Sequence, residues 1–156
     1  MSKLNEGNFI GETSITSTLN GNVTLPCKNY RYTILYFYPK DDTPGCTTES
    51  KDFSNYVDEF KKIDTIIYGI SKDSLESHKK FITKHDIKVD LLCDDIELAE
   101  KLGVWQEKSM FGKKYMGIDR TTFLIDNSGK IIKVWNKVKV KNHVNEVMEY
   151  INSLNS

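Results

Sequence analysis

The chain has 156 residues, 38% of them hydrophobic and 28% charged, which suits one domain with a substantial core and an ordinary globular composition. Its 22 basic and 22 acidic residues cancel, so nothing points to nucleic acid or an anionic membrane surface as a partner. No apolar run reaches the roughly 20 residues of a bilayer span, and Met1 to Gly7 carries no apolar signal core. The expected setting is therefore cytoplasmic. There, three cysteines without paired spacing argue against a disulfide framework.

In chain order, Thr13 to Leu19 and Asn22 to Leu25, joined near Asn20-Gly21, read as an N-terminal hairpin. Tyr32 to Tyr38 is a β-branched and aromatic run of the length of a strand buried in a parallel sheet, ended by Pro39. After the Pro44-Gly45 turn, Phe53, Val57 and Phe60 recur at the spacing of one half-buried helix. Thr65 to Ile70 reads as a second buried strand, and Leu75, His78, Phe81 and Ile82 mark a helix ending near His85. A short strand near Leu91-Leu92 and a helix from about Ile96 to Leu102 follow. Lys108 to Tyr115 is basic with interleaved aromatics, too short for a nucleic-acid face, and reads as a solvated loop. Arg120 to Ile125 and Lys130 to Trp135 flank a hairpin turn at Asp126-Asn127-Ser128-Gly129. Val144, Val147, Met148, Ile151 and Leu154 give a C-terminal amphipathic helix. Residues 1–156 thus read as a single α/β domain, a central sheet flanked by helices.

Histidines 78, 85 and 143 lack the short cysteine or histidine spacings of a zinc site and are expected on helix surfaces. No metal is expected. Trp105 and Trp135 read as core or collar packing.

The chemistry gathers at Cys46, which the polar loop from Pro39 delivers to the first turn of a helix. Unpaired backbone N–H groups and a macrodipole of roughly +0.5 charge favour an anion there, and thiols so placed ionise more readily. Ionisation alone achieves little. A thiol with a pKa of about 8.5 is already a few per cent thiolate at pH 7, so full ionisation gains at most about 30-fold, or about 2 kcal/mol. Neighbouring groups must supply the rest by binding the charge that develops in the transition state. Thr43 offers a hydroxyl and the amides of Gly45 and Cys46 point into the same space. The missing fixed cation has few sources beyond lysine: only Arg31 and Arg120 are arginines. Arg120 opens a strand, where its planar fork of donors suits a thiolate and an oxygen together, the plain alternative being a surface ion pair.

The segment Tyr36-Phe37-Tyr38-Pro39-Lys40-Asp41-Asp42-Thr43-Pro44-Gly45-Cys46-Thr47-Thr48-Glu49 resembles the active-site segment of peroxiredoxins of the bacterioferritin comigratory protein (peroxiredoxin Q) branch. The likeness continues through Gly69 to Ser74, His78 to Phe81, Gly103-Val104-Trp105 and Tyr115 to Asp126. It implies a thioredoxin-like fold with a central mixed sheet, an N-terminal β-hairpin extension, no cofactor, a monomer, and a thiol peroxidase acting on hydrogen peroxide and organic hydroperoxides. Cys46 would attack the peroxide and become a sulfenic acid. Thr43 would bind the peroxide and Arg120 would hold the thiolate and polarise the same oxygen. The Gly45 and Cys46 amides would stabilise charge, Pro39 would shield the thiolate, and Glu49 would orient Arg120 unless it only answers the helix dipole. Phe111 would line the peroxide entrance.

Many members of that branch carry a resolving cysteine five residues after the first, where this chain has Lys51. Resolution must then fall to Cys27, to Cys93, to a second subunit, or to an external thiol of the thioredoxin, glutaredoxin or glutathione class. Cys27 sits in a loop-like segment near Lys28 and Arg31, which favours reactivity, whereas Asp94-Asp95 beside Cys93 should raise its pKa. Either is otherwise an inert small apolar residue. The reading adopted is a one-cysteine cycle recycled by an external thiol. Two other classes are a thioredoxin-like disulfide reductase, which needs the Cys-x-x-Cys that Thr43-Pro44-Gly45-Cys46 lacks, and a redox sensor or holdase acting through a partner.

Overall fold

The computed structural model describes residues 4–155; the N-terminal segment read above as lacking a signal core lies partly outside them, at residues 1–3. The chain runs β1 (Thr13–Ser17), β2 (Gly21–Leu25), β3 (Tyr32–Phe37), α1 (Pro44–Asn55), α2 (Val57–Lys62), β4 (Thr65–Ser71), α3 (Leu75–His85), β5 (Asp90–Cys93), α4 (Glu97–Lys101), β6 (Trp105–Met110), β7 (Lys113–Ile118), β8 (Thr121–Asp126), β9 (Ile131–Trp135) and α5 (His143–Leu154). Seven strands form one mixed sheet in the order β2-β1-β5-β4-β3-β8-β9. β3 lies near its middle, parallel to β4 and antiparallel to β8, and all six of its residues are buried, as its β-branched and aromatic run requires. The N-terminal hairpin extends the sheet because β1 also pairs with β5. A central mixed sheet flanked by helices, with the hairpin as an extension, is the arrangement expected from the sequence.

Alternation along the strands divides the core in two. Leu35, Phe37, Tyr68, Ile70, Leu92, Phe123 and Ile125 face one side, packed with Ile10, Leu98 and Leu102. Ile34, Tyr36, Ile67, Leu91 and Leu124 face the other, packed with Cys46, Phe53, Phe60, Phe81, Val144, Val147 and Ile151 from α1, α2, α3 and α5. The Cys46 thiol is therefore embedded in the core of the second face. Among the described residues no helix is long and apolar enough to cross a membrane.

Three expectations need correction. Phe53, Val57 and Phe60 do not share one helix: Tyr56, at φ −117° and ψ 10°, breaks it. The break keeps Phe53 and Phe60 in one cluster, with ring centroids 6.3 Å apart. Residues 108–115 are not a loop but the tip of the β6–β7 hairpin, turned at Phe111 and Gly112, both at positive φ, as a two-residue hairpin turn demands. Its strands are largely exposed, Phe111 at 98%, so no alternating apolar pattern marked them. Finally, His78 and His143 are buried rather than on helix surfaces, each with hydrogen-bond partners inside the protein; His85 is partly exposed.

Candidate active site

Helix α1 begins at Pro44, whose missing N–H costs nothing at that position. Gly45 and Cys46 follow, and their N–H groups have no acceptor within the helix. Thr43 precedes the helix in extended conformation, and its carbonyl accepts from the Thr47 N–H at 2.8 Å. The Thr43 hydroxyl donates to the Lys40 carbonyl at 2.9 Å, so its lone pairs remain available to accept. Cys46 itself is fully buried.

Arg120 reaches this sulfur from 74 residues away. The β3–β8 register, which sets Phe37 opposite Thr121, brings the start of β8 beside the end of β3. The Arg120 carbonyl is held by the Val138 N–H at 2.9 Å. Its Nη2 lies 3.2 Å from Cys46 Sγ, and its Nη1 donates to Glu49 Oε1 at 2.6 Å. Glu49 sits one helical turn beyond Cys46, so a single guanidinium bridges carboxylate and thiol. Its direction is set by Glu49 and its charge is delivered to the sulfur. Arg31, by contrast, is exposed, bonded to Asn155 and resting over the Tyr32 ring.

Burial pushes the Glu49 carboxyl up to about 7 against the pull of Arg120. The cause is visible: Glu49 is 1% exposed and Oε2 has no hydrogen-bond partner. Burial works against the Arg120 charge, but the Glu49 carboxylate and the sulfur outweigh it and raise Arg120 above its ordinary value, so the cation is secure. Behind the pair, burial and then the Arg120 charge lower His143 to about 4. This neutral imidazole bonds Thr122 Oγ1 at 2.8 Å between the edges of Phe53 and Trp135.

Two glycines make room, a role not anticipated for them. A Cβ on Gly45 would stand 3.1 Å from Arg120 Nη2, so a bare backbone is what lets the guanidinium lie against the helix start. A Cβ on Gly69 would stand 2.6 Å from the Tyr36 ring. That ring stacks on Phe53 with centroids 4.6 Å apart and its hydroxyl bonds Ser50, on the turn after Cys46.

Pro39 lies two residues beyond the end of β3, after Tyr38, and is partly buried. Phe111 stands at the far tip of the β6–β7 hairpin. No disulfide joins the three cysteines. Cys27 follows the cis Leu25-Pro26 bond and lines a cavity with Tyr68; because Tyr68 faces the first core and Cys46 belongs to the second, the sheet separates the two sulfurs. Cys93 ends β5, and its pKa is raised as the sequence suggested, though by burial first and then by Asp41, Asp73 and Asp90 rather than by its chain neighbours. Lys51 is exposed on α1.

Comparison with known proteins gives the family. Residues 10–134 match the model of the AhpC/TSA family. Peroxiredoxin Bcp of Bacillus subtilis is 50% identical over 134 residues, 84% of this chain and 85% of that protein. PrxQ of Xylella fastidiosa superposes with a TM-score of 0.93 at 32% identity over the whole of both chains. The Xanthomonas campestris bacterioferritin comigratory protein, in a structure concerned with its alkyl peroxide reduction activity, superposes at 0.86 with 36% identity over 92% of each chain. A thiol peroxidase on a thioredoxin-like fold, with a buried cysteine at a helix start, the chain belongs to the AhpC/TSA family as a peroxiredoxin of the Bcp, or peroxiredoxin Q, kind.

Proposed function

We propose that Cys46 is the peroxidatic cysteine in a one-cysteine cycle acting on hydrogen peroxide and organic hydroperoxides. The observation that carries the assignment is the Arg120 fork, with Nη2 3.2 Å from Cys46 Sγ and Nη1 anchored 2.6 Å from Glu49. The Cys46 thiolate attacks one peroxide oxygen, the O–O bond breaks, and the departing oxygen takes a proton and leaves as water or an alcohol. Sulfur is oxidised to a sulfenic acid. Thr43 accepts the peroxide O–H, and the free amides of Gly45 and Cys46 with Arg120 bind the charge that grows as the bond lengthens. Pro39 helps keep water from the sulfur, and Glu49 positions the fork.

An external thiol then condenses with the sulfenic acid, releasing water, and a second thiol reduces the mixed disulfide. The position of Cys27 across the sheet and the raised pKa of Cys93 support an external reductant of the thioredoxin, glutaredoxin or glutathione class. Cytoplasmic monomers fit the same reading.

Rapid peroxide consumption should vanish in Cys46→Ser, and a wild-type rate no faster than that of free cysteine would reduce the protein to a sensor or holdase. After one equivalent of peroxide without reductant, mass spectrometry should find a sulfenic acid on Cys46; a disulfide to Cys27 or Cys93 would establish a two-cysteine cycle. The double variant Cys27→Ser/Cys93→Ser should still turn over with external thiol.

A further inference from the structure

Five residues before Cys46, the catalytic loop is tied to α3 through a buried pair, Asp41 and His78, whose side chains are 3% and 0% exposed. Asp41 Oδ1 accepts from the Tyr38 hydroxyl at 2.6 Å. Its Oδ2 accepts from Ser77 Oγ at 2.8 Å and lies 2.7 Å from His78 Nδ1. On the opposite side of the ring, His78 Nε2 lies 2.9 Å from the Leu92 carbonyl oxygen.

These contacts fix the protons. A carbonyl oxygen only accepts, so Nε2 carries a hydrogen. A neutral ring protonated there would turn a bare Nδ1 lone pair toward a carboxylate oxygen, acceptor against acceptor, since the Tyr38 hydroxyl, 3.4 Å from Nδ1, already gives its one hydrogen to Oδ1. One further proton therefore lies between Nδ1 and Oδ2, whether the pair is written imidazolium and carboxylate or imidazole and carboxylic acid. The charged and titratable groups around it are Tyr36 and Tyr38 from β3, Asp73 after β4, Cys93 from β5, and Glu76, Lys80 and Lys84 of α3, which line a cavity together with Asp41. Asp73 Oδ2 accepts from the Asp41 N–H at 2.8 Å and from Ser71 Oγ at 2.6 Å. The ligand atoms of Asp41, Asp73 and His78 come within 4.8 Å of one another, but each is already committed to protein partners. The far end of α3 grips the next residue: Lys84 and His85 bond Asp42 at 2.7 and 2.6 Å, where the backbone is left-handed at φ 60°.

Building on the peroxidase reading of Cys46, we propose that Asp41 and His78 are positioning residues for the peroxide reaction: the proton they share locks the loop carrying Thr43, Gly45 and Cys46 onto α3. Without that link the loop loosens and the attack on peroxide slows.

Nitrogen-15 NMR of the histidine rings and the rates of Cys46 oxidation and alkylation test this. The expected spectrum at neutral pH has His78 protonated on Nε2, with a second exchange-protected proton in the Asp41 hydrogen bond. A ring protonated on Nδ1 alone, or stoichiometric Zn²⁺ displacing that proton, would overturn the proposal. His78→Phe should slow oxidation by hydrogen peroxide about tenfold or more while iodoacetamide alkylates Cys46 at or above the wild-type rate. Asp41→Asn should lose only about threefold, because an amide N–H can face the bare Nδ1. A peroxide rate within twofold of wild type in His78→Phe, an equal loss toward both reagents, or a loss in Asp41→Asn as large as that in His78→Phe would each sink the idea. The NMR result stands even if a variant fails to fold, and none of these failures touches the loss of activity expected of Cys46→Ser.

Discussion

On the face of the sheet that holds Leu35, Phe37 and Phe123, the buried carboxylates are held by neutral donors. Asp90 is bonded by Ser17, Thr18 and Asn20, and Asp94 caps α4 through the N–H groups of Leu98 and Ala99. On the face that holds Cys46, buried carboxylates meet bases instead: Glu49 faces Arg120, and Asp41 faces His78. The first arrangement stitches a hairpin and a short helix in place. The second puts a fixed positive charge on a sulfur and leaves one carboxylate oxygen, Glu49 Oε2, unsatisfied. Buried charge of that kind is a poor way to gain stability, so its concentration around one thiol marks where stability yields to chemistry.

The largest expected break in this contrast comes from Arg120→Met, which should lower the rate of Cys46 oxidation by about 10²–10³, the loss typical of removing a donor to developing negative charge. Asp90→Asn, across the sheet, should leave that rate within about twofold and act only on the unfolding midpoint. Stopped-flow peroxide consumption measures the first, and denaturant unfolding the second.

Stability against pH separates the two groups beside Arg120. Glu49 rises from 4.5 to about 7 on folding, so between those values the native state holds the extra proton and stability falls as pH rises, by at most about 3 kcal/mol. His143 drops from 6.5 to about 4; the unfolded state holds the extra proton, and stability is lost as pH falls through that window. The two slopes oppose each other where the windows overlap. Glu49→Gln should therefore tilt the profile toward greater stability at higher pH, and His143→Gln should tilt it the other way. Parallel profiles in denaturant titrations from pH 4 to 7 would contradict both assignments.

Gly45→Ala is expected to slow peroxide reduction about tenfold, since the guanidinium must move away from the helix start, and a sub-ångström shift of a polarising group is costly. The smallest effect belongs to Cys27→Ser, behind the sheet: turnover with an external thiol should stay within about twofold and stability within about 1 kcal/mol. A loss of turnover there would make Cys27 the resolving thiol.

Much of this was legible along the chain. Tyr32 to Phe37 announced a buried strand through β-branched and aromatic content, and Pro44-Gly45-Cys46 placed a thiol at a helix start. Scarcity of arginine singled out Arg120. The β6–β7 hairpin escaped because neither of its faces is buried, so the two-residue period that reveals strands never arose. His78 and His143 were misread because helical spacing says which residues share a face, not which faces find polar partners in the core.

The sequence by itself determined most of the elements, the family and the cysteine at a helix start, because those depend on local periodicity, turn chemistry and a contiguous motif. Only the tertiary structure decided that Arg120 divides its fork between Cys46 and Glu49, that Gly45 and Gly69 serve by having no side chain, and that Cys27 lies behind a sheet. Each of these depends on the register between strands distant along the chain and on which face a residue turns inward, and no spacing in the sequence encodes either.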